Sequence, residues 1–353
     1  MAHAVVLYPQ SHGYRHGLLL VMKLSLQPCS PACLRRIAIT GSSGLCGRSL
    51  VRAIRKNLPE ATTLGIDVAA ACTDAPDEFV RADIRDGTLE SVLARFRPDT
   101  VVHLAFMVEP CRDLRRMREV NIAGTERVLA ATTAVGVRCL LVSSSATVYG
   151  PWPEHAVPCT EDAPLRPLEK FTYAAHKAEV EAMLLEFAAQ HPDIAVSWVR
   201  PAIVCGRGEK NFLSDIFLTV PFMVLPGGAD TPLQFVHTDD LANATLAILA
   251  ADGRGPFNVA PPDWLTQRDL AAMMGIRAVR MPAWLVAMAA RVWWSLRLPW
   301  IRTPPGLAAY LRHPWLVDPS RLSREGGFVC AHSSREAFAM LLPEATDADS
   351  PPL

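Results

Sequence analysis

The 353-residue sequence has little lysine and little tyrosine, five residues of each, and it has no excess of charge of either sign. Its 35 basic residues equal its 35 acidic residues, so no overall positive field attracts nucleic acid or an anionic surface. It also lacks a long apolar run, because the run at 17–22 ends at Lys23. These absences favour a small-molecule partner over nucleic acid, and they predict no transmembrane span.

The cysteines lack the spacing that metal sites and disulfide frameworks require. The nine cysteines are odd in number and scattered, and none belongs to a CxxC pair. This pattern argues against a structural zinc and favours a reducing compartment, so we expect a cytoplasmic protein.

From Arg35 onward, short β-branched runs alternate with longer helical patterns. This alternation predicts βαβ units and an α/β fold with a doubly wound parallel sheet, the Rossmann fold. Strands are predicted over 35–40, 62–67, 78–82, 100–105, 137–144 and 195–200, and helices over 45–57, 88–95, 112–134 and 171–190. After Pro201 the alternation fades, which predicts a smaller C-terminal lobe that binds substrate.

A glycine-rich turn follows the first predicted strand. It contains Gly41, Gly44, Leu45 and Gly47, and it leads directly into a helical pattern. Glycines permit the tight turn and let backbone N–H groups at the helix N-terminus approach a pyrophosphate. Twenty residues after Gly47, the next strand ends at Asp67, whose carboxylate can accept hydrogen bonds from adenosine ribose hydroxyls and would repel a 2′-phosphate. The pattern predicts a dinucleotide site, with NAD favoured over NADP.

These elements divide the chain into four predicted segments. A flexible extension is expected at 1–34 and a dinucleotide-binding domain at 35–201. The substrate-binding lobe is expected over 202–345, with segments that return to the sheet, and a short tail over 346–353.

Tyr173 and Lys177 lie four residues apart at the start of a predicted helix, so both side chains can reach one pocket. Since both residue types are scarce here, a chance occurrence of this spacing is disfavoured. The strand predicted over 137–144 ends in a run of serines at 143–145. Doubly wound folds bind their ligands beyond the carboxyl ends of the strands, so one of these hydroxyls can hold a substrate oxygen.

Together, these residues resemble the extended short-chain dehydrogenase/reductases, a group commonly described as NAD-dependent epimerases and dehydratases. The resemblance runs from about Arg35 to the region of Gly327, and the serine-rich strand end is most similar to the sugar-nucleotide 4-epimerases. Further matching residues are Asp83, Ile84, Val102, His103, Leu104, Ala105, Asn121, Gly124, Thr125, Arg200, Pro201 and the segment 235–242.

The resemblance implies a role for each of three residues. Tyr173 is the expected catalytic acid/base, Lys177 is expected to bind the nicotinamide ribose and lower the tyrosine pKa, and Ser145 is expected to orient the reacting oxygen. The NAD-binding residues that it implies are Gly41, Gly44, Leu45, Gly47, Asp67, Asp83, Ile84, Leu104, Ala105, Asn121, Tyr173, Lys177 and Pro201. It also implies a homodimer through the helices around 112–134 and 171–190.

Two departures from the family pattern bear on the reaction. Sugar-nucleotide dehydratases carry an Asp-Glu pair where this chain has Ala146 and Thr147, so dehydration is disfavoured and epimerisation or simple oxidation–reduction remains. Many nucleotide-sugar members place a diphosphate-binding arginine just before the position of Phe235, where this chain has Pro232, Leu233 and Gln234. Substitutes for that arginine could be Arg207, Lys210 or Arg302.

The sequence therefore predicts an NAD-dependent enzyme that epimerises a secondary alcohol of a sugar or sugar nucleotide through a transient ketone. The alternative is a hydroxysteroid-type or other lipophilic alcohol dehydrogenase. A more remote alternative is a non-catalytic protein that senses dinucleotides, although such proteins often lose the reactive phenol.

The segment 282–300 is unusually apolar and contains Trp284, Trp293, Trp294 and Trp300. A buried packing helix is the favoured interpretation, because apolar stripes more often belong to the core. A hydrophobic pocket wall or a peripheral membrane contact is the alternative. Elsewhere, we expect His176 to be a solvated helix residue, and we expect Asp239 and Asp240 to cap a helix from Leu241 rather than bind a metal.

Overall fold

The computed structural model describes residues 34–109, 111–206, 220–296 and 306–342. The extension expected at 1–34, except Leu34, and the tail expected at 346–353 lie outside these ranges. The strands are β1 (Arg36–Thr40), β2 (Thr62–Asp67), β3 (Glu78–Arg81), β4 (Thr100–His103), β5 (Cys139–Ser143), β6 (Ala195–Pro201), β7 (Ile203–Cys205), β8 (Phe222–Pro226), β9 (Pro232–Leu233), β10 (Phe235–His237), β11 (Gly255–Val259), β12 (Leu265–Thr266) and β13 (Arg277–Met281).

Within the described ranges, seven strands form one parallel sheet in the order β11-β6-β5-β4-β1-β2-β3. This confirms the doubly wound parallel sheet. The strand order reverses between β1 and β4, the point at which such sheets form a ligand crevice. The chain segments that leave β1 and β4 meet there, since Leu104 N donates to Thr40 O at 3.0 Å.

Helices cover both faces of the sheet. The helices of the described ranges are α1 (Leu45–Asn57), α2 (Leu89–Phe96), α3 (Leu114–Arg118), α4 (Gly124–Val135), α5 (Thr172–Gln190), α6 (Thr238–Ala250), α7 (Gln267–Met273), α8 (Ala283–Ser295), α9 (Leu307–Tyr310), α10 (Ser320–Gly326) and α11 (Ser334–Ala339). Successive residues of a strand point to opposite faces, so Ile37 and Ile39 pack with α1 and α6, whereas Ala38 packs with α2 and α4.

Most of the elements after β6, apart from α6, α10 and β11, build a smaller lobe. In the described part of this lobe, β7 pairs with β10, β8 with β13, and β9 with β12. Phe235, Leu270 and Phe338 belong to its own apolar core. β11 returns to the central sheet beside β6. The exact segment boundaries expected at 201 and 345 stay predictions.

The helix expected over 112–134 is not continuous. A π-helical turn (Glu119–Ala123) separates α3 from α4. The buried Asn121 lies in this turn, where its Oδ1 accepts from Met107 N at 2.7 Å and its Nδ2 donates to Met107 O at 3.2 Å. The wider turn therefore accompanies a tertiary contact that helical periodicity does not encode.

The helix expected from Leu241 starts three residues earlier, as α6. His237 is its N-cap, since the His237 Nδ1 accepts from Asp239 N at 3.1 Å. Asp239 and Asp240 are in the first turn, where carboxylates interact favourably with the helix dipole. Among the described residues, no three or more His, Cys, Asp or Glu side chains are placed so that they could hold a metal ion. Nor does any described helix have the length and apolar character that a bilayer crossing requires.

Candidate active site

The turn between β1 and α1 leaves no room for side chains at two of its glycines. Gly41 has a φ of +75°, and a Cβ there would lie 2.6 Å from Ala105 N. A Cβ at Gly47 would lie 2.2 Å from Gly41 O. Gly44 is the N-cap of α1, so the first N–H groups of the helix open into the turn. The backbone thus forms a cradle with positive partial charge, which fits a pyrophosphate.

Asp67 lies beside this cradle at the end of β2. Its Oδ2 accepts from Ser43 N at 2.9 Å, and its Oδ1 accepts from Ala69 N at 2.9 Å. Each carboxylate oxygen can accept a second hydrogen bond, so the carboxylate is fixed in place and can still bind ribose hydroxyls. These contacts fit an adenosine ribose, as the sequence predicts.

Asp83 and Ile84 follow β3 at the same edge of the sheet. The Asp83 carboxylate pairs with Arg85 at 2.7 Å, and this hydrogen-bonded pair lowers the Asp83 pKa. Ile84 is buried, and its side chain fills the space in which a Cβ of Gly124 would lie. An adenine contact through these two residues stays a prediction.

The structure brings together the three residues expected to be catalytic. Tyr173 and Lys177 lie in the first turns of α5. The Lys177 Nζ donates to Ser143 O at 2.5 Å, which holds the amine against the end of β5. The Ser145 side chain is close enough to the Tyr173 phenol to favour its ionised form. The Ser145 Oγ in turn accepts from Thr147 Oγ1 at 3.0 Å, within the short helical turn Ala146–Tyr149.

Phe106 also belongs to this cluster, although the sequence analysis did not identify it. The Lys177 Nζ lies 3.5 Å from the centroid of the Phe106 ring, a cation–π contact. The same ring meets Tyr173 edge to face, with 5.7 Å between centroids. A phenylalanine three residues after a strand carries no distinctive sequence signal, so only the tertiary structure reveals it.

Burial changes the pKa of both reactive groups. It lowers the pKa of Lys177 to about 7, against the opposing charge of Glu181. Burial raises the pKa of Tyr173 to about 12, against the opposing effect of the Ser145 side chain. The expected lowering of the Tyr173 pKa is therefore not a property of these side chains alone. A phenol in this pocket needs a further positive charge beside it to act as a base near neutral pH.

His103 and His176 are both buried next to the predicted cofactor residues. The His103 Nδ1 lies 2.6 Å from Thr40 Oγ1, and its Nε2 lies 3.0 Å from Thr125 Oγ1. Burial lowers the pKa of His103 to about 3, so the ring is neutral and connects β4 to β1 and α4. The expectation that His176 is solvated is wrong: it is 6% exposed, and its Nδ1 lies 3.4 Å from Asn121 Nδ2.

Leu104 and Ala105 directly follow β4 and face the glycine turn, as the contact of Ala105 with Gly41 shows. Pro201 ends β6, where it is in register with Val259 of β11. Both positions lie at the carboxyl edge of the sheet, and their contacts with the cofactor stay predictions.

Replacing Lys177 with methionine tests the buried amine. Burial lowers its pKa from 10.5 to about 7, so between these values the unfolded chain binds more protons than the folded protein. Raising the pH through this window therefore stabilises the folded wild type. The free energy of unfolding of the wild type minus that of Lys177→Met should rise by up to about 1.4 kcal/mol per pH unit in urea denaturation.

The control is Lys170→Met, because Lys170 is an exposed lysine near the same helix. The difference in free energy of unfolding between the wild type and Lys170→Met should not change across the same pH range. An equally flat profile for Lys177→Met would contradict the burial of the amine.

The sequence profile of the NAD dependent epimerase/dehydratase family matches residues 37–260, which is more than half of the chain. The chain belongs to this family. It is therefore an NAD-dependent enzyme, and NAD is its cofactor. The glycine cradle and the placement of Asp67 agree with this membership.

Individual relatives of this epimerase/dehydratase family member extend the comparison. A UDP-glucose 4-epimerase of Mycolicibacterium smegmatis is 29% identical over 257 residues, covering 67% of this chain and 80% of the relative. An uncharacterized protein of Mycobacterium tuberculosis is 27% identical over 312 residues, covering 86% of this chain and 82% of the relative.

Solved structures share the fold. The UDP-glucose 4-epimerase of Thermus thermophilus in complex with NAD has a TM-score of 0.68 and 22% identity, covering 87% of this chain and 97% of that one. MoeE5 in complex with UDP-glucuronic acid and NAD has a TM-score of 0.68 and 21% identity, covering 86% and 97%.

Proposed function

We propose that this enzyme is a 4-epimerase of UDP-hexoses that acts through a transient 4-ketone. The observation that carries the proposal is the cluster of the Tyr173 phenol, the Ser145 hydroxyl and the Lys177 amine beside the glycine cradle. A secondary alcohol placed there would meet a proton acceptor and a hydrogen-bond donor at once. The UDP-glucose 4-epimerase among the relatives supports the choice of sugar.

Each side chain has a distinct task in this proposal. Tyr173 takes the proton from the substrate hydroxyl. It returns the proton to the same oxygen after the ketone has turned its opposite face toward the nicotinamide. Ser145 donates a hydrogen bond to the same oxygen and keeps it near the phenol. Lys177 donates to the ribose hydroxyls of the cofactor. Together with the positive nicotinamide of NAD, it would supply the charge that Tyr173 needs to act as a base. NAD, when bound, would supply the acceptor for the hydride of the substrate carbon and the donor that returns it to the opposite face of the ketone.

The residues after Ser145 support epimerisation over dehydration. Elimination of water from the ketone needs an acid and a base, and the positions that follow Ser145 hold Ala146 and Thr147. Thr147 is 8% exposed, and its hydroxyl donates to Ser145 rather than into the cleft. A dehydratase reaction would thus lack its proton donor at this place.

A second candidate, a dehydrogenase of a lipophilic secondary alcohol, is favoured by Gln234. Its Oε1 accepts from Val317 N at 2.9 Å, and its Nε2 donates to Pro261 O at 2.8 Å. Because both ends of the side-chain amide are hydrogen-bonded to the backbone, Gln234 is not free to bind a diphosphate. The family resemblance places a diphosphate-binding arginine near this position. Arg207, Lys210 and Arg302, named above as substitutes, lie outside the described residues.

The two candidates differ in the fate of the cofactor. We expect native mass spectrometry of the purified protein to show retained NAD. We also expect the enzyme to interconvert UDP-glucose and UDP-galactose, which anion-exchange chromatography would detect. The absorbance of NADH should not rise during this reaction. NADH formed in proportion to an oxidised sterol would instead establish the second candidate. If the protein converted neither UDP-hexoses nor sterols, both enzymatic proposals would be overturned.

A further inference from the structure

The helix α8 exposes an apolar stripe to solvent. Trp284, Met288, Val292 and Leu296 follow one another at four-residue spacing, so they lie on one face of α8 and its C-cap. Their exposed fractions are 67%, 46%, 44% and 63%. We call these four residues the α8 stripe. The buried packing helix expected over 282–300 is wrong for the described residues, since no residue of α8 is buried. Trp300 lies outside them.

This exposure differs from the scattered apolar residues that soluble proteins normally show. Trp264, in the loop before β12, and Leu185, on α5, are examples of apolar residues exposed elsewhere. The α8 stripe is continuous over three helical turns, and Trp293 adds a further ring that is 41% exposed. A contiguous apolar surface of this kind indicates a binding partner.

The charge around the stripe limits what that partner can be. The segment 270–317 contains six arginines and neither aspartate nor glutamate. Of these arginines, Arg277, Arg280 and Arg291 are exposed in β13 and α8. Tryptophan and aliphatic side chains combined with basic residues are typical of surfaces that bind anionic lipid headgroups and insert at the acyl boundary.

A contact with the dinucleotide-binding part of the protein fixes α8 in place. Arg112 donates through Nη2 to the Trp294 carbonyl at 2.8 Å, and its guanidinium lies 4.6 Å from the Trp294 ring centroid. Arg112 belongs to the segment that follows β4 and carries Phe106. The inner side of α8 is therefore attached to the protein, while the α8 stripe faces away from it.

We propose that the α8 stripe and its neighbouring arginines dock on an anionic lipid surface. Anionic headgroups would neutralise Arg277, Arg280 and Arg291, while the stripe enters the interface. A second copy of the chain is a poorer partner, because a two-fold interface would bring the same arginines face to face. The 13 residues of α8 are too few to span a bilayer, so the contact is peripheral.

Vesicle flotation of the full chain tests the proposal. The wild type should bind vesicles of mixed phosphatidylcholine and phosphatidylglycerol, bind pure phosphatidylcholine weakly, and dissociate as salt is raised. Trp284→Ser combined with Trp293→Ser should lower the partition coefficient at least about tenfold, because two large apolar groups leave the interface. Arg280→Glu should lower it about fivefold or more through charge alone.

The matched control is Trp264→Ser, which removes an exposed tryptophan outside α8 and should leave binding unchanged. Retained NAD in native mass spectrometry would show that each variant is folded. The proposal would be overturned if the wild type and the double variant had equal partition coefficients. It would also be overturned if the wild type did not bind the anionic vesicles. If light scattering showed that the wild type is a dimer and the double variant a monomer, the stripe would instead be an interface between two copies.

Discussion

Tyr173→Phe should lower the rate of UDP-hexose epimerisation by roughly 10²- to 10⁴-fold, the usual contribution of a general acid/base. The substitution removes only the hydroxyl and keeps the ring that contacts Phe106 and Phe171. The fold and the bound NAD should therefore be unchanged. The measurement is the single-turnover rate of UDP-galactose formation from UDP-glucose with enzyme in saturating excess over substrate.

Tyr310→Phe is the matched control. Tyr310 is buried near Tyr173, and its hydroxyl donates to Thr147 O at 2.9 Å rather than into the reactive cluster. Its loss should destabilise the protein modestly and change the single-turnover rate less than about tenfold. Equal rates for the two variants would remove Tyr173 from the role of acid/base.

Arg200→Met should destabilise the folded protein by about 3–5 kcal/mol, because it leaves a buried carboxylate without its partner. Arg200 and Glu181 are 4% and 0% exposed, and the Arg200 Nη2 lies 2.5 Å from Glu181 Oε2. Arg200 also donates to the Tyr149 hydroxyl at 2.7 Å. Urea denaturation of the wild type and the variant at neutral pH measures the difference.

The double variant Arg200→Met/Glu181→Met separates loss of the ion pair from loss of packing. Removing both charges leaves no unpaired ion, so the double variant should be more stable than Arg200→Met alone. If the double variant were the less stable of the two, the unpaired carboxylate would not explain the effect. The Ser144 hydroxyl also donates to Glu181, so the pair stabilises the strand end from which Ser145 extends.

The central fold could be predicted because its signals are local. The bounds of α1 and β2 agree with the sequence prediction, since glycine turns and apolar periodicity mark both ends. The meeting of Ser145, Tyr173 and Lys177 was also predictable. Two of these residues share a helix face, and the third follows a strand whose carboxyl end must lie at the ligand edge of a parallel sheet.

The failures concern contacts between distant parts of the chain. The π-helical turn and the buried His176 both involve Asn121, which lies in the turn and contacts residues 14 positions before it and 55 positions after it. The outward orientation of α8 could not be predicted either, because an apolar helix has the same composition in a core as on a docking surface. Tertiary packing alone decides between the two.

The arginine-rich segment around α8 also makes the molecule electrically asymmetric. A chain with zero formal charge and six uncompensated arginines in 270–317 has an excess of six acidic residues elsewhere. The segment that carries α8 is thus more positive than the rest of the chain. A negative plane attracts this segment and repels the acidic excess elsewhere, so the α8 end would turn toward the plane during diffusion.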